Sequence, residues 1–486
     1  MQRDIDRLTA ATFDVLVVGG GIYGLTIAYD AAQRGLSVAL VERNDFGSGA
    51  SFNHLRTIHG GLRYLQTLDI GRARESILER RTIARIAADA VRPLSFLLPI
   101  TPSPTAGRLA MGVGVLIDRL VGWDRNENVD ASHRLLPTRV LSRTEALERL
   151  PMFRGRQIVG AVEWHDYVAA EADRLTLAWA IAGHRCGANL ANYVEATTLL
   201  MDGSRAVGIR ALDRVSSKAF DIGARLIVNA TGGSVDRLLS SVKAATGIPM
   251  LKAMNLVSRI EAHGGAIGGR GSSGRALFAV PWHGRTLFGT WESESACTPG
   301  DEGISEADVE SFIGELNAAF PELRLTISDV SLVHRGVVPA SRQPDGTVRL
   351  ERHERITDHG FAETPIEGLV TVAGTKYTTA RAVAERVTNV LFTKLRRSAV
   401  PCRTAHEPLP VKVRAGDADL AEAARDEMVV TLADAVIRRT SIGALGCPDE
   451  ASLATAADVV GGQLGWDQDR KRGEIDAVRK FYIWPA

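Results

Sequence analysis

Residues 13–24 read FDVLVVGGGIYG. Phe13 to Val18 is a short apolar run rich in β-branched residues, the pattern of a strand buried on both faces. Gly19, Gly21 and Gly24 follow at the spacing G-x-G-x-x-G. A helical, Ala-rich pattern runs from Leu25 to Arg34, Gly35 stops it, and Ser37 to Val41 is a second apolar strand closed by Glu42. The order has a physical reason. The first glycine permits a tight turn, the second lets backbone approach a pyrophosphate, and the third lets helix and strand pack closely. The helix start then meets the phosphates with free N–H groups and the positive end of its dipole. Glu42, 18 residues after Gly24, is placed for ribose hydroxyls and against a 2′-phosphate. Residues 13–42 are therefore read as a Rossmann-type dinucleotide unit. The motif alone does not choose between FAD and NAD.

Working outward, 486 residues suggest two or three domains. Apolar residues at 45% and charged residues at 24% fit a globular protein, and a net charge of +1 gives no field to draw nucleic acid or an acidic membrane. Cys186, Cys297, Cys402 and Cys447 form no C-x-x-C pair, so no zinc site or redox dithiol is expected, and packed thiols in a reducing cytoplasm are. Met1 to Thr12 lacks the apolar run of a signal peptide. Leu109 to Trp123 is too short and too interrupted to span a bilayer; it reads as a half-buried helix or one lying on a membrane surface.

Ile70 to Ala90 and Ala169 to Gly187 have helical spacing, and Pro93, Pro99, Pro102 and Pro104 read as breakers. Leu190 to Ala196, Ala206 to Leu212 and Lys218 to Phe220 read as strands, and Arg225 to Ala230 as a buried strand turning at Thr231-Gly232-Gly233. Runs at 256–260, 277–280, 286–289 and 330–333 suggest an inserted antiparallel sheet, and Gly264–Gly274 a flexible loop. Leu369 to Ala373 is a last buried strand that turns at Gly374 into a helix from Ala380 to Leu395. The expected architecture is α/β: a Rossmann-type FAD-binding domain in segments near 13–95, 155–245 and 350–400, a substrate domain near 96–154 and 246–349, and a helical C-terminal domain over 401–486.

The chain resembles the FAD-dependent glycerol-3-phosphate dehydrogenases, a branch of the D-amino-acid oxidase-like flavoproteins. The resemblance rests on VVGGGIYG at 17–24, LVER at 40–43, IHGGLRYL at 58–65, VRPLSFLLP at 91–99, NATGG at 229–233, VPWHGRTLFGT at 280–290 and AGTKYTTAR at 373–381. In the tail it rests on MVVTLADAVIRRT at 428–440 and QLGWD at 463–467. It implies FAD, and hydride transfer from the C2 carbinol of sn-glycerol 3-phosphate to give dihydroxyacetone phosphate. It implies quinone or oxygen as electron acceptor, and a cytoplasmic protein with peripheral contact at the inner face of the membrane. A homodimer stays open.

Carried over by position, the resemblance implies FAD contacts at Gly19, Gly21, Ile22, Tyr23, Gly24, Glu42, Arg43, Ser51, Glu195, Ala230, Thr231, Gly232, Gly374, Thr375, Lys376, Tyr377 and Thr378. It implies substrate contacts at Arg63, Tyr64, Arg352 and Lys376, which suit an anion because charge-assisted bonds are the strong ones. His59, Arg63 and Lys376 are the catalytic candidates, His59 as base. Two departures fall in the substrate half: an expected arginine is Val338, with Arg335 three residues upstream as the substitute, and an expected histidine is Asn255. Trp291 stands where a smaller residue is expected and suits stacking on a larger ligand. Asp166 and Glu171 are read as capping or pairing within a helix, His165, His334 and His353 as structural or exposed, and Arg438-Arg439 as a solvated face. An amine or amino-acid oxidase, and a flavin-binding protein without turnover, are the competing readings; no metal site is expected.

Overall fold

The computed structural model describes residues 1–484 apart from 63, 65–68, 103–107, 263, 298–302, 321 and 415–416. Two sheets organise it. The first has the order Arg355–Asp358, Leu369–Ala373, Lys218–Asn229, Thr12–Val18, Val38–Val41, Asn189–Ala191, with Val194–Asp202 and Arg205–Asp213 hairpinned onto Lys218–Asn229. Its centre is parallel: Thr12–Val18 runs alongside both Lys218–Asn229 and Val38–Val41, and Leu369–Ala373 alongside Lys218–Asn229. Parallel strands need cover on both faces, which explains why Val15, Leu16 and Val17 are all fully buried. Helix Ile22–Gln33 packs between Ala172–Arg185 and Ala380–Lys394, and eleven of its twelve residues are buried. A helix apolar all round belongs inside a core.

The second sheet runs Val348–Leu350, Val330–Arg342, Met250–Glu261, Arg285–Glu292, Ala276–Trp282, Ala266–Arg270, Val91–Ile100, Gly160–Ala169, Thr57–Ile58, with Arg139–Leu141 paired to Gly160–Ala169. One face packs on helix Glu306–Ala319 through Met254, Leu256, Phe288, Phe312 and Phe320. The other packs on the C-terminal helices through Val257, Leu287, Leu332, Leu432, Val436 and Val460. Those helices are Asp417–Asp426, the π-helical turn Asp434–Arg439, Glu450–Leu464 and Gln468–Phe481.

Two local expectations fail for identifiable reasons. Pro93 and Pro99 do not break the chain; they lie within the ten-residue strand Val91–Ile100. That strand pairs along its length with Gly160–Ala169, but its other neighbour touches only Phe96 and Leu97, so both prolines sit where one flank is unpaired. Gly264–Gly274 is not a loop throughout, since Ala266–Arg270 is a strand between two others. Its glycines serve close packing: a Cβ on Gly268 would lie 2.7 Å from Leu98, and one on Gly269 2.9 Å from Phe320.

Candidate active site

The first-sheet strands end in the turns that form a dinucleotide cradle. Gly19 has φ +107°, and a Cβ there would meet the Ala230 carbonyl at 2.5 Å; a Cβ on Gly24 would lie 1.8 Å from the Gly19 carbonyl oxygen. Only glycine fits either position. Glu42 accepts from Gly20 N at 2.6 Å and from Asn44 N at 2.8 Å, and burial pushes its carboxyl above the usual range. Ser51 Oγ accepts from Ile22 N at 2.8 Å, so the 42–51 loop returns onto the helix start. Thr231 follows Ala230 in the next turn, its Oγ1 donating to Asn229 Oδ1 at 2.7 Å. Gly374 and Thr375 close the cradle; Tyr23 Oη donates to the Lys376 carbonyl at 3.1 Å, and Thr375 Oγ1 to the Glu351 carbonyl at 2.9 Å. The Thr378 hydroxyl is buried without a hydrogen-bond partner among the described residues. Arg43 and Gly232 lie partly exposed beside this surface. Glu195 lies in the hairpin strand Val194–Asp202 of the same sheet, its carboxylate paired with Arg237. An open helix start, an acid at the second strand end and glycines where no Cβ fits make this cradle suit FAD.

The substrate side gathers around Tyr64 and Lys376. Lys376 is 5% exposed; its Nζ donates to Ser76 Oγ and lies 4.6 Å from the Tyr64 ring centroid. Arg72 covers the same ring at 5.4 Å and pairs with Glu354 at 3.3 Å. His59 lies 6.4 Å from the Tyr64 ring, centroid to centroid. The turn between them is built from behind: Gly60 N donates to Asp166 Oδ1 at 2.7 Å, Asp166 pairs with Arg80, and a Cβ on Gly60 would strike Arg80 at 2.4 Å. Asp166 therefore does not cap a helix; it lies in strand Gly160–Ala169 and anchors the glycine turn. Glu171 precedes helix Ala172–Arg185 without capping it. Arg63 falls outside the described residues.

The strand register decides Arg335. Met254 faces Arg335 and Leu251 faces Val338 in an unshifted antiparallel pairing. Residues three apart on a strand point to opposite faces, so Arg335 does not replace an arginine at 338. Its half-buried guanidinium makes no ion pair with a described residue, and burial pulls its pKa below the usual arginine value. Arg352 is exposed. Asn255 is 1% exposed with both ends of its amide engaged: Nδ2 donates to the Asn53 carbonyl at 3.2 Å, and Oδ1 accepts from Thr290 Oγ1 at 2.9 Å. It ties the cofactor loop to the second sheet. Trp291, 7% exposed, faces Met254 in the core against Glu306–Ala319 and does not stack on a ligand.

Several groups at the site carry no sequence signal. Asn53 holds the cofactor loop to the second sheet, its Oδ1 accepting from Arg335 N at 2.9 Å. His54 stacks on Tyr377 at 4.8 Å. Its Nδ1 accepts from Arg56 N at 3.1 Å, and burial with the nearby Arg56 charge holds it neutral. His334 is fully buried and neutral for the same reasons, while His165 is partly buried and His353 exposed. Cys186 and Cys447 are exposed rather than packed, and Cys297 and Cys402 partly buried. Among the described residues no cluster of side chains has the makings of a metal site.

The chain matches the model of the FAD dependent oxidoreductase family over residues 14–390. It belongs to that family. This FAD-dependent oxidoreductase is 28% identical over 427 residues to a glycerol-3-phosphate dehydrogenase of Synechocystis, covering 84% of this chain and 75% of the relative. It is 32% identical over 425 residues to the mitochondrial glycerol-3-phosphate dehydrogenase of Macaca fascicularis, covering 83% of this chain but 56% of that one, little more than half its length. Its fold is that of the glycerol-3-phosphate dehydrogenase from Bacillus halodurans solved with FAD, at TM-score 0.73 and 23% identity, covering 98% and 96% of the two chains.

Proposed function

We propose that this oxidoreductase oxidises the secondary alcohol of sn-glycerol 3-phosphate, or of a closely related polyol phosphate, to the ketone. Bound FAD supplies the hydride acceptor, and quinone or oxygen takes the electrons onward. The observation that carries the reading is Lys376, a buried cation on the cofactor turn, stacked over Tyr64. A buried ammonium beside an aromatic face suits an anionic substrate. Lys376 and Tyr64 hold that substrate together with Arg63, and Arg352 contributes at the rim. His59 takes the hydroxyl proton, since the amide of Asn255 is already engaged on both sides. With valine at 338 and Arg335 on the other sheet face, the anion is gripped from the Lys376 side, which admits polyol phosphates longer than glycerol 3-phosphate.

The test is anaerobic bleaching of the flavin near 450 nm, a band typical of the cofactor class. Rapid bleaching by glycerol 3-phosphate or a longer polyol phosphate is expected. Bleaching only by amino acids or amines would replace this reading with an oxidase of those substrates, and no bleaching by any of them would indicate a flavoprotein without turnover.

A specific surface supports membrane contact. Helix Arg108–Val121 presents Val113, Leu116 and Leu120 at 60%, 58% and 66% exposure, followed by Trp123 at 78%. The spacing puts Val113, Leu116 and Leu120 on one stripe, and a tryptophan just past the helix end suits the headgroup region. Among the described residues no helix is long and apolar enough to cross a bilayer; the contact proposed here is peripheral, at the cytoplasmic face. A homodimer is compatible with the remaining surface.

A further inference from the structure

We infer that Asp45 is a positioning residue for FAD: through it the C-terminal helical segment latches the cofactor loop shut. Asp45 lies three residues after Glu42 and is 1% exposed. Its Oδ2 accepts from Arg438 Nε at 2.6 Å and from Arg439 Nη1 at 2.7 Å. Its Oδ1 accepts from Arg439 Nη2 at 2.7 Å and from Asn192 Nδ2 at 3.0 Å. Arg439 thus grips the carboxylate with both arms of its fork, a geometry lysine cannot copy.

Both arginines come from one π-helical turn, Asp434–Arg439, and neither is on a solvated face: they are 8% and 0% exposed. The turn is itself braced. Arg438 Nη2 donates to Asp434 Oδ1 at 2.7 Å, and Arg439 Nε to the Glu427 carbonyl at 3.1 Å. Asp434 also takes the Tyr193 hydroxyl at 2.7 Å, while Glu427 is held by both arms of Arg174 at 2.7 and 2.9 Å. The two neighbouring arginines reach one carboxylate from this wider turn, and π-helical turns recur at functional sites.

What the latch holds is the loop that shapes the adenosine end of the cradle. Upstream of Asp45, Glu42 caps Gly20 N at 2.6 Å; downstream, Gly47 N donates to the Gly20 carbonyl at 2.8 Å and Ser51 Oγ takes Ile22 N at 2.8 Å. Phe46 presses on Gly20, where a Cβ would come within 2.8 Å of its ring. Releasing Asp45 frees the middle of this loop and loosens Glu42 and Ser51 together. A preorganised loop binds more tightly because less ordering remains to be done on binding.

The test uses full-length protein stripped of FAD and titrated with FAD by flavin fluorescence, alongside thermal unfolding of the apo form. Asp45→Asn keeps shape and removes charge; a rise in FAD Kd of about tenfold or more is expected. Arg439→Lys keeps charge and loses the fork; a smaller rise in the same direction is expected. Val460→Ala opens a cavity among the C-terminal helices without touching the Asp45 ion pairs, and should lower apo Tm while leaving Kd within about twofold. The inference is overturned if Asp45→Asn binds FAD like the parent, or if Val460→Ala raises Kd as much. Should Asp45→Asn fail to fold, Arg439→Lys against Val460→Ala decides by the same comparison.

Discussion

Lys376, buried, and Glu42, half-buried, are both charged residues at the cofactor cradle, yet they have different company. Glu42 accepts from two backbone N–H groups of the cofactor loop, whereas Lys376 donates to the Ser76 hydroxyl and lies over the Tyr64 ring on the substrate side. Lys376→Met should therefore leave FAD binding nearly unchanged and slow flavin reduction by the substrate, with a loss of about 2–5 kcal/mol in kcat/KM. Stopped-flow reduction against FAD titration separates the two effects. His54 and His334 set a second expectation at this scale. Burial and Arg56 hold both well below the ordinary histidine range. The unfolded chain takes up protons below about pH 6.5 and the native protein does not. The stability they contribute is present above that pH and lost as pH falls, by up to about 1.4 kcal/mol per pH unit for each ring. Urea midpoints at pH 7.5 and 5.0 should show the fall, and His334→Leu should flatten it. Neither histidine was legible as special in the sequence, because their neutrality comes from an arginine and aromatic rings assembled from separate segments.

At the scale of elements, the sequence is clearest where one local segment does the whole job. Strand, glycines, helix and acid over 13–42 need no distant partner to be recognised. Gly24→Ala tests the tightest contact: a methyl 1.8 Å from the Gly19 oxygen has no room, so FAD binding should be lost and the apo protein destabilised by roughly 1–3 kcal/mol. Equilibrium dialysis with FAD checks it. Legibility fails where a residue's meaning depends on its cross-strand neighbour. Arg335 looked like a substitute for a missing arginine until the register put it on the opposite face. Trp291 looked like a stacking platform until Met254 and the Glu306–Ala319 helix enclosed it. Asp166 reads as capping or pairing within a helix, yet it lies in strand Gly160–Ala169 opposite Leu94, and its partner Gly60 comes from a segment 106 residues upstream.

At the scale of the molecule, the two sheets meet along the cofactor loop. Asn53 and Asn255 tie the seam, and the C-terminal helices close it from outside. The exposed helix stripe of Val113, Leu116 and Leu120, with Trp123 just past its end, lies on the surface. Leu120→Ser together with Trp123→Ser should lower the fraction floating with anionic liposomes by about threefold or more, while activity with a soluble electron acceptor is unchanged. Equal flotation of variant and parent would remove the helix from the membrane contact. The broad architecture could be read from the sequence, because buried strands and amphipathic helices announce themselves. The seam could not, because it is made of single polar contacts between segments far apart in the chain.

The grip of Arg439 on Asp45 spans 394 positions. During synthesis at about 5–20 residues per second, the loop emerges from the ribosome roughly 20–80 s before the arginine that will hold it has been made. The cradle is complete only once Gly374 and Thr375 have been made, and from then until Arg439 follows it can be shaped but not locked, with Asp45 waiting for its counter-ions. The latch is therefore the last part of the cradle to be made, and a chain ending between residues 395 and 438 carries every strand of the first sheet without it.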